Sequence, residues 1–352
     1  MRLNSRGYIP FMSTIIKIIS LLADGYYHSG EALGKAVGVT RSGIWKQIQQ
    51  LPEMGIPVES VHGKGYRIPD GLELYDAALL QNGLSLTAQD KLDGLEILPV
   101  IESTNTYLLD KAKAGERRCL AVFAEQQTAG KGRHGKQWLS PFGCQIALSV
   151  LWHFKRDSAA LSGLSLATAV AAVEALRQCE LSSGLALKWP NDIFWQDKKL
   201  GGILLEFVGE SHGYCSVVAG IGLNVRLPSD VHQQISQEAV DFNQATAGRA
   251  RYGRNQLAAT LLDKLLLLPQ RFVHDGFDAF LESFRQLNYL SGRVVTVDIC
   301  GQRHQGQVID VNEHGALLIR LDNGQVKAVN SGEVNLIRSV VDEPPCVCRT
   351  TD

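Results

Sequence analysis

A chain of 352 residues is too long for one hydrophobic core and implies two or three domains. Its 45% apolar and 20% charged content is that of a soluble globular protein, and a net charge of −1 excludes a surface that binds polyanions throughout. The charge is uneven, however: residues 1–68 hold eight Lys/Arg (2, 6, 17, 35, 41, 46, 64, 67) against four acids (24, 31, 53, 59), an excess of +4 that leaves −5 elsewhere. A basic N-terminal segment on an acidic remainder points to a local nucleic-acid contact.

The first segment, residues 1–70, reads as helices followed by a hairpin. Ile15, Ile16, Ile18, Ile19 and Leu22 make an apolar helical face ending at Asp24-Gly25. Lys17 interrupts that run and no small-residue cleavage site follows, so it is a soluble helix and not a signal peptide. Ser29 offers an N-cap for a short helix to Ala36 or Val37, Gly38 a turn, and Thr40 a cap for a second helix running to Gln50 or Leu51 before Pro52. Two short helices joined at a glycine are a helix-turn-helix signature. Ile44, Ile48 and Leu51 share its inner face, leaving Arg41, Ser42, Lys46 and Gln49 for a DNA major groove. Val58–Val61 and Tyr66–Ile68 then flank His62-Gly63-Lys64-Gly65, a hairpin whose basic tip, with Lys64, makes the wing of a winged helix.

Residues 71–288 alternate strand-like and helical runs. Leu95–Ile101, Cys119–Glu125, Cys144–Trp152, Leu185–Lys188, Ile193–Gln196, Gly201–Val208 and Ser216–Val225 are expected strands; Thr104–Ala114, Ala159–Glu180, Asn255–Val273 and Phe277–Leu287 are expected helices. This is an α/β or α+β core in which a mixed sheet is covered by helices. Ser162, Ser165, Thr168 and Glu174 make the apolar run 159–176 a core helix rather than a membrane span. Residues 289–340 contain short strands at Val294–Ile299, Gln305–Val311, Ala316–Arg320 and Val326–Val329, a small all-β module. Residues 341–352 read as a disordered tail. The seven cysteines (119, 144, 179, 215, 300, 346, 348) form no CxxC pair and no Cys/His cluster of zinc spacing, a reducing, cytoplasmic pattern.

The chemistry gathers in the middle segment. Residues 130–138, Gly-Lys-Gly-Arg-His-Gly-Lys-Gln-Trp, place Lys131, Arg133, His134 and Lys136 among three glycines, with no acid from Gln126 to Ser140. Such a loop suits closure around an anion, although a solvated basic surface loop has the same composition. Ser103-Thr104-Asn105 follows a strand and opens a helix, where it caps that helix or holds a polar ligand. Lys188-Trp189-Pro190-Asn191-Asp192 puts a cation, a rigid turn and an amide–acid pair between two strands. Gly220 and Gly222 weaken a strand unless something lies close against its backbone. There is no GxSxG elbow, Walker A loop or HExxH pair.

In order, STN, EQQTAGKGRHGKQWLSPFG, KWPND, KLGGIL and GIGLNV resemble the biotin protein ligases, and with the winged helix in front the chain resembles their bifunctional class, ligase and biotin-operon repressor. The resemblance covers residues 13–340. It implies an α+β multidomain fold: winged helix-turn-helix, a mixed-sheet catalytic domain of the class II synthetase/biotin–lipoate ligase type, and an SH3-like β-barrel. It implies an enzyme that uses ATP to turn biotin into biotinoyl-5′-AMP, transfers biotin to a lysine of the biotin carboxyl carrier protein of acetyl-CoA carboxylase, and binds biotin-synthesis operator DNA as a ligand-promoted homodimer with the adenylate as corepressor. No fixed metal site is implied, only Mg²⁺ accompanying ATP near Asp192.

Position by position, the resemblance implies biotin contacts from Ser103, Thr104, Asn105, Gln127, Lys131, Gly132, Arg133 and Lys199, and nucleotide contacts from Arg133, Lys136, Lys188, Asn191, Asp192, Asn224 and Arg338. Arg133, Lys188 and Lys199 carry the catalytic roles. The class commonly has Arg where Lys131 stands, and often where His134 and Lys136 stand; Lys keeps the charge and loses the bidentate fork. A lipoate or octanoate transferase shares the fold type, but the winged helix, KWPND and the C-terminal module together argue against it. A sensor without catalysis leaves Lys188 and Lys199 unexplained.

Overall fold

The computed structural model describes residues 10–211, 214–228, 231, 237–249, 251–299, 302–332 and 334–337. Three helices open the chain, α1 (Pro10–Leu22), α2 (Gly30–Val37) and α3 (Arg41–Ile48). Ser29 accepts from the Ala32 N–H and Thr40 from the Gly43 N–H, so each short helix starts on a side-chain cap, and Gly38 closes α2 at φ 76°. The second helix of the motif ends at Ile48, earlier than expected, because the chain tightens into a 3₁₀ turn at Pro52–Met54. The hairpin β1 (Glu59–Val61) and β2 (Gly65–Arg67) follows. A side chain at Gly65, φ 110°, would collide with the His28 carbonyl, which explains the glycine.

Ile15, Ile18, Ile19, Leu22, Leu33, Ile44, Ile48, Leu51, Ile56 and Ile68 form the core of this unit, and Phe142, far along the chain, is buried in it at 1% exposure. Removing a phenylalanine side chain from water is worth about 1.5–3 kcal/mol, so this contact is a real tie between the units. Gln126 Nε2 adds a hydrogen bond to the Met54 carbonyl, 3.3 Å.

Two short helices that composition did not reveal, α4 (Ala77–Asn82) and α5 (Leu86–Gln89), lead into the central sheet. Its strands are β3 (Gly94–Ile101), β4 (Leu120–Gln127), β5 (Gln145–Phe154), β6 (Leu185–Lys188), β7 (Asp192–Trp195), β8 (Lys198–Ser211) and β9 (Tyr214–Asn224). They lie in the order β3-β4-β5-β9-β8-β7-β6. Only β3 and β4 run parallel, joined by the crossover helix α6 (Thr104–Lys113); every other pair is antiparallel. The expected helix Ala159–Glu180 is split. Gly163, φ 82°, breaks it into a 3₁₀ turn at Ser158–Leu161 and α7 (Leu164–Gln178). The apolar stretch Ser158–Gln178 is long enough to cross a membrane, yet it lies largely inside the fold. Helix α7 packs against the later helices α9 (Arg254–Asp275) and α10 (Asp278–Leu287), which follow the one-turn α8 (Phe242–Ala245).

The C-terminal strands are β10 (Val294–Ile299), β11 (Gln302–Val311), β12 (Leu317–Leu321), β13 (Val326–Val329) and a fifth that sequence reading did not supply, β14 (Val334–Leu336). They form one antiparallel sheet in the order β13-β12-β11-β10-β14. The sheet docks through its β11–β12 turn: Gly315 lies against Gly163, its carbonyl accepts from Trp189 Nε1 at 3.0 Å, and the His314 carbonyl accepts from Ser162 Oγ at 2.6 Å. The cysteines described, 119, 144, 179 and 215, are free thiols, and burial pushes Cys119 up to about 12, which makes it unreactive.

Candidate active site

A cavity of about 570 Å³ opens where β4, β5, β9 and β8 end, under the loop after β4. Ser103, Thr104, Asn105, Gln127, Lys131, Gly132, Arg133, Lys136, Lys188, Asn191, Asp192, Lys199 and Asn224 all line it, with Asn335 of β14 at its rim. Arg338 lies outside the described residues. Segments separated by more than 100 residues in sequence converge here because β8 and β9 sit beside β5 in the sheet.

One wall is polar and buried. Ser103 caps α6, accepting from Thr106 N–H. Gln127 Oε1 accepts from both the N–H and the hydroxyl of Thr104, at 2.8 and 3.1 Å, which leaves its NH₂ for the cavity. Asn105 also lines the cavity. Its Nδ2 donates to Glu206 Oε2 (2.8 Å) and the Leu204 carbonyl (3.3 Å), and its Oδ1 accepts from Ser149 Oγ (2.6 Å). With both amide ends engaged in the protein, Asn105 is held in place as part of the cavity wall. Glu206 and Ser149 were missed in the sequence because nothing local marks them; both act across the sheet.

The basic loop is partly ordered by its own backbone. Gly132 N–H donates to the Lys136 carbonyl (2.7 Å) and Trp138 N–H to that of Gly130 (2.8 Å). Its tip is a 3₁₀ turn, Arg133–Gly135, in which His134 takes φ 54°, a left-handed conformation costly for a residue with a side chain. Trp138 folds back onto β9: a Cβ at Gly222 would overlap its ring, and one at Gly220 would overlap the Asn105 amide. Those two contacts account for both strand glycines.

The opposite wall carries the charges. Lys199 Nζ pairs with Asp192 Oδ1 at 2.8 Å, both largely buried, and lies 5.6 Å from the Trp138 ring centroid. Lys188 Nζ stands 5.7 Å from the Phe194 ring centroid. Asn191 Nδ2 donates to the Ile203 carbonyl (2.9 Å), stitching the turn after the cis Trp189–Pro190 bond to β8. Asp192 is the only acid lining the cavity among the described residues, against five Lys/Arg (Lys131, Arg133, Lys136, Lys188, Lys199). A pocket of that balance receives anions. Among the described residues no cluster of three or more His/Cys/Asp/Glu could hold a metal on its own.

In the first segment Arg41, Ser42, Lys46, Gln49 and Lys64 are all exposed, on the outer face of α3 and on the hairpin tip. A helix-turn-helix with its wing, joined to an anion pocket at a sheet's strand ends and a small antiparallel sheet, defines a modular ligase-type protein with a DNA-reading domain. Comparison with known proteins divides the chain in the same order. Residues 14–67 match an HTH domain, residues 97–224 the biotin/lipoate A/B protein ligase family, and residues 290–336 the biotin protein ligase C-terminal domain. The bifunctional ligase/repressor BirA of Salmonella typhimurium is 37% identical over 322 residues, 91% of this chain and 97% of its own length. The Escherichia coli BirA is 36% identical over 326 residues, 91% and 96% of the two chains. Among solved structures, the biotin protein ligase from Aquifex aeolicus in complex with biotin and ATP superposes at a TM-score of 0.58, with 27% identity, over 70% of this chain and 100% of that one. The chain belongs to the biotin protein ligases, in their bifunctional ligase/repressor class.

Proposed function

We propose that the protein activates biotin with ATP to biotinoyl-5′-AMP, transfers biotin to a lysine of the biotin carboxyl carrier protein of acetyl-CoA carboxylase, and represses biotin-synthesis genes with the adenylate as corepressor. It works in the cytoplasm, and its dimer forms when the adenylate is bound. The observation that carries this reading is the single cavity joining the polar wall of Thr104 and Gln127 to the cationic wall of Lys188 and Lys199.

Adenylation brings together two anions, the biotin carboxylate and the α-phosphate, whose repulsion must be screened before attack. Gln127, its oxygen taken by Thr104, offers NH₂ to a ureido carbonyl. Lys199, close beneath Trp138, is placed to meet the carboxylate, and Arg133 with Lys131 and Lys136 to close over the mixed anhydride. Fixed cations of this kind also stabilise charge that grows on the phosphate in the transition state. Closure of the loop then keeps water from the anhydride until the acceptor amine arrives. Mg²⁺ fits the donor set as a companion of ATP: Asp192 would offer it one hard carboxylate oxygen beside phosphate oxygens and waters. An ion held there would neutralise phosphate charge.

On the DNA side, Arg41 and Lys46 on α3 and Lys64 on the wing supply phosphate contacts, while Ser42 and Gln49 face base edges. Incubating the protein with biotin, ATP, Mg²⁺ and the carrier domain, and probing for a labelled lysine, tests the reading. Transfer of lipoate but not biotin would sink it.

A further inference from the structure

We infer that Gln145 is a positioning residue that holds Trp138 of the loop against Lys199, and that the buried Glu125–Arg254 pair fixes Gln145 from behind. Trp138 Nε1 donates to Gln145 Oε1 at 3.0 Å, and Gln145 Nε2 donates to Asn224 Oδ1 at 2.9 Å. Asn224 Nδ2 then donates to the carbonyls of Val240 (3.1 Å) and Lys199 (3.4 Å).

The direction of this chain is not a matter of choice. An indole N–H only donates, so it dictates which end of the Gln145 amide faces it; that in turn dictates the Asn224 amide, whose NH₂ is left for the two carbonyls. The aromatic member of the loop is thereby connected, bond by bond, to the backbone of the lysine it covers. Gln145 is 2% exposed and Asn224 3%, so the bond between them is shielded from water.

Behind the sheet, the Gln145 carbonyl accepts from Arg254 Nε at 2.9 Å and from Arg254 Nη2 at 2.7 Å. Arg254 Nη1 pairs with Glu125 Oε2 at 2.5 Å, and the guanidinium lies 3.7 Å from the Tyr75 ring centroid. Burial opposes its charge, but the Glu125 carboxylate bonded to it more than offsets that, and Arg254 stays protonated. Arg254 thus grips the backbone of the one residue whose side chain orients the loop. Its own helix is capped by Glu73, whose Oε1 accepts from Asn255 N–H at 2.8 Å. The result is a rigid line from the segment after the wing to Trp138. Glu125 and Gln145 flank the loop at its two roots, on β4 and β5.

The inference rests on the adenylation reading above. In the full-length protein, the adenylate is formed from biotin, ATP and Mg²⁺, free nucleotide is removed, and release is followed for the parent, Gln145→Leu, Trp138→Phe and the double variant. Gln145→Leu is expected to release adenylate about tenfold faster (about 1.4 kcal/mol) and to raise KM for ATP more than it lowers kcat. Trp138→Phe, which keeps a ring and deletes the N–H, is expected to act in the same direction, and the double variant to match Gln145→Leu, because the bond that Trp138→Phe deletes is already gone there. Unchanged release in Gln145→Leu, or effects of the two substitutions that multiply, would overturn the inference. Should Gln145→Leu unfold, Gln145→Asn withdraws the amide by one methylene and enters the same cycle with the same two outcomes. A parent that forms no adenylate sinks the adenylation reading and this one with it; a parent that forms it, beside a Gln145→Leu that retains it equally, sinks this one alone.

Discussion

Lys199 Nζ and Asp192 Oδ1 meet at 2.8 Å where β7 and β8 pair, so the lysine proposed to touch the activated carboxyl is partnered by the acid proposed to accompany Mg²⁺. The two roles can be separated. Lys199→Met is expected to cut adenylate formation by about 10²–10³, the usual loss when one donor to developing charge is removed. Asp192→Asn is expected to shift the Mg²⁺ requirement upward while leaving biotin binding in place. Pyrophosphate release titrated against Mg²⁺ checks both, and an unmoved Mg²⁺ curve in Asp192→Asn would remove that acid from the metal's surroundings.

Arg133→Gly is expected to weaken retention of the adenylate by about tenfold or more, since the loop loses its one guanidinium and a charge-assisted bond is worth about 1.5–3 kcal/mol. Arg133→Lys should recover part of it. Equal release from parent and variant would take Arg133 out of the lid.

Gly222→Ala is expected to fold normally and to lift Trp138 from β9, because the added methyl needs the space the ring occupies. The change should appear as altered tryptophan emission and a raised KM for ATP. Gly220→Ala pushes on Asn105 instead, so its cost should fall on biotin.

Arg254→Met leaves Glu125 buried without its partner, and breaking a buried pair in this way costs about 3–5 kcal/mol. A melting temperature within a degree or two of the parent would contradict the burial described above.

His153 supplies a pH effect away from the site. Burial lowers its pKa, despite its contact with the Arg118 carbonyl, and Nδ1 lies 2.9 Å from Ser216 Oγ. A lowered histidine pKa means that the unfolded chain binds the proton more readily. Stability is therefore unaffected well above about pH 6.5 and falls as pH drops through that value. Denaturant titrations between pH 8 and pH 5 should show the fall, and His153→Gln should flatten it.

Much of this architecture was readable in advance because its signals are local. Caps at Ser29 and Thr40, the apolar faces of α1 and α3 and the glycine-basic loop each declare themselves within a dozen residues. The elements that escaped were short or depended on distant partners. Helix α5 starts at Ser85, whose N–H and hydroxyl both bond Asp263 far along the chain. Asn105 shows the same limit in the site: its motif placed it at the cavity, but not the partners that hold its amide, Ser149 and Glu206, 44 and 101 residues away. Gln145 and Arg254 carry no motif at all, and only the sheet order reveals what they join.

Deleting residues 1–70 is the obvious way to ask whether the DNA-reading part is dispensable for the ligase, and operator binding should vanish. Phe142 makes that experiment less clean than it looks, because the cut strips the cover from a phenyl ring four residues past Trp138. Arg41→Ala with Lys46→Ala is the better probe: operator affinity should fall, the salt slope should flatten by about 0.9 per lost phosphate contact, and biotinylation should stay unchanged.

The wider meaning of Phe142 concerns how such proteins can be taken apart. A chain whose loop exit is seated in its neighbour's interior does not behave as beads on a string. A ligase that discards its first 70 residues must re-clothe that ring, with a polar substitute or a new lid of its own, and a chimera that exchanges winged helices must bring a socket of matching shape. Here the DNA-reading and catalytic units are physically joined, with the Phe142 ring at the centre of the seam and Gln126 beside it.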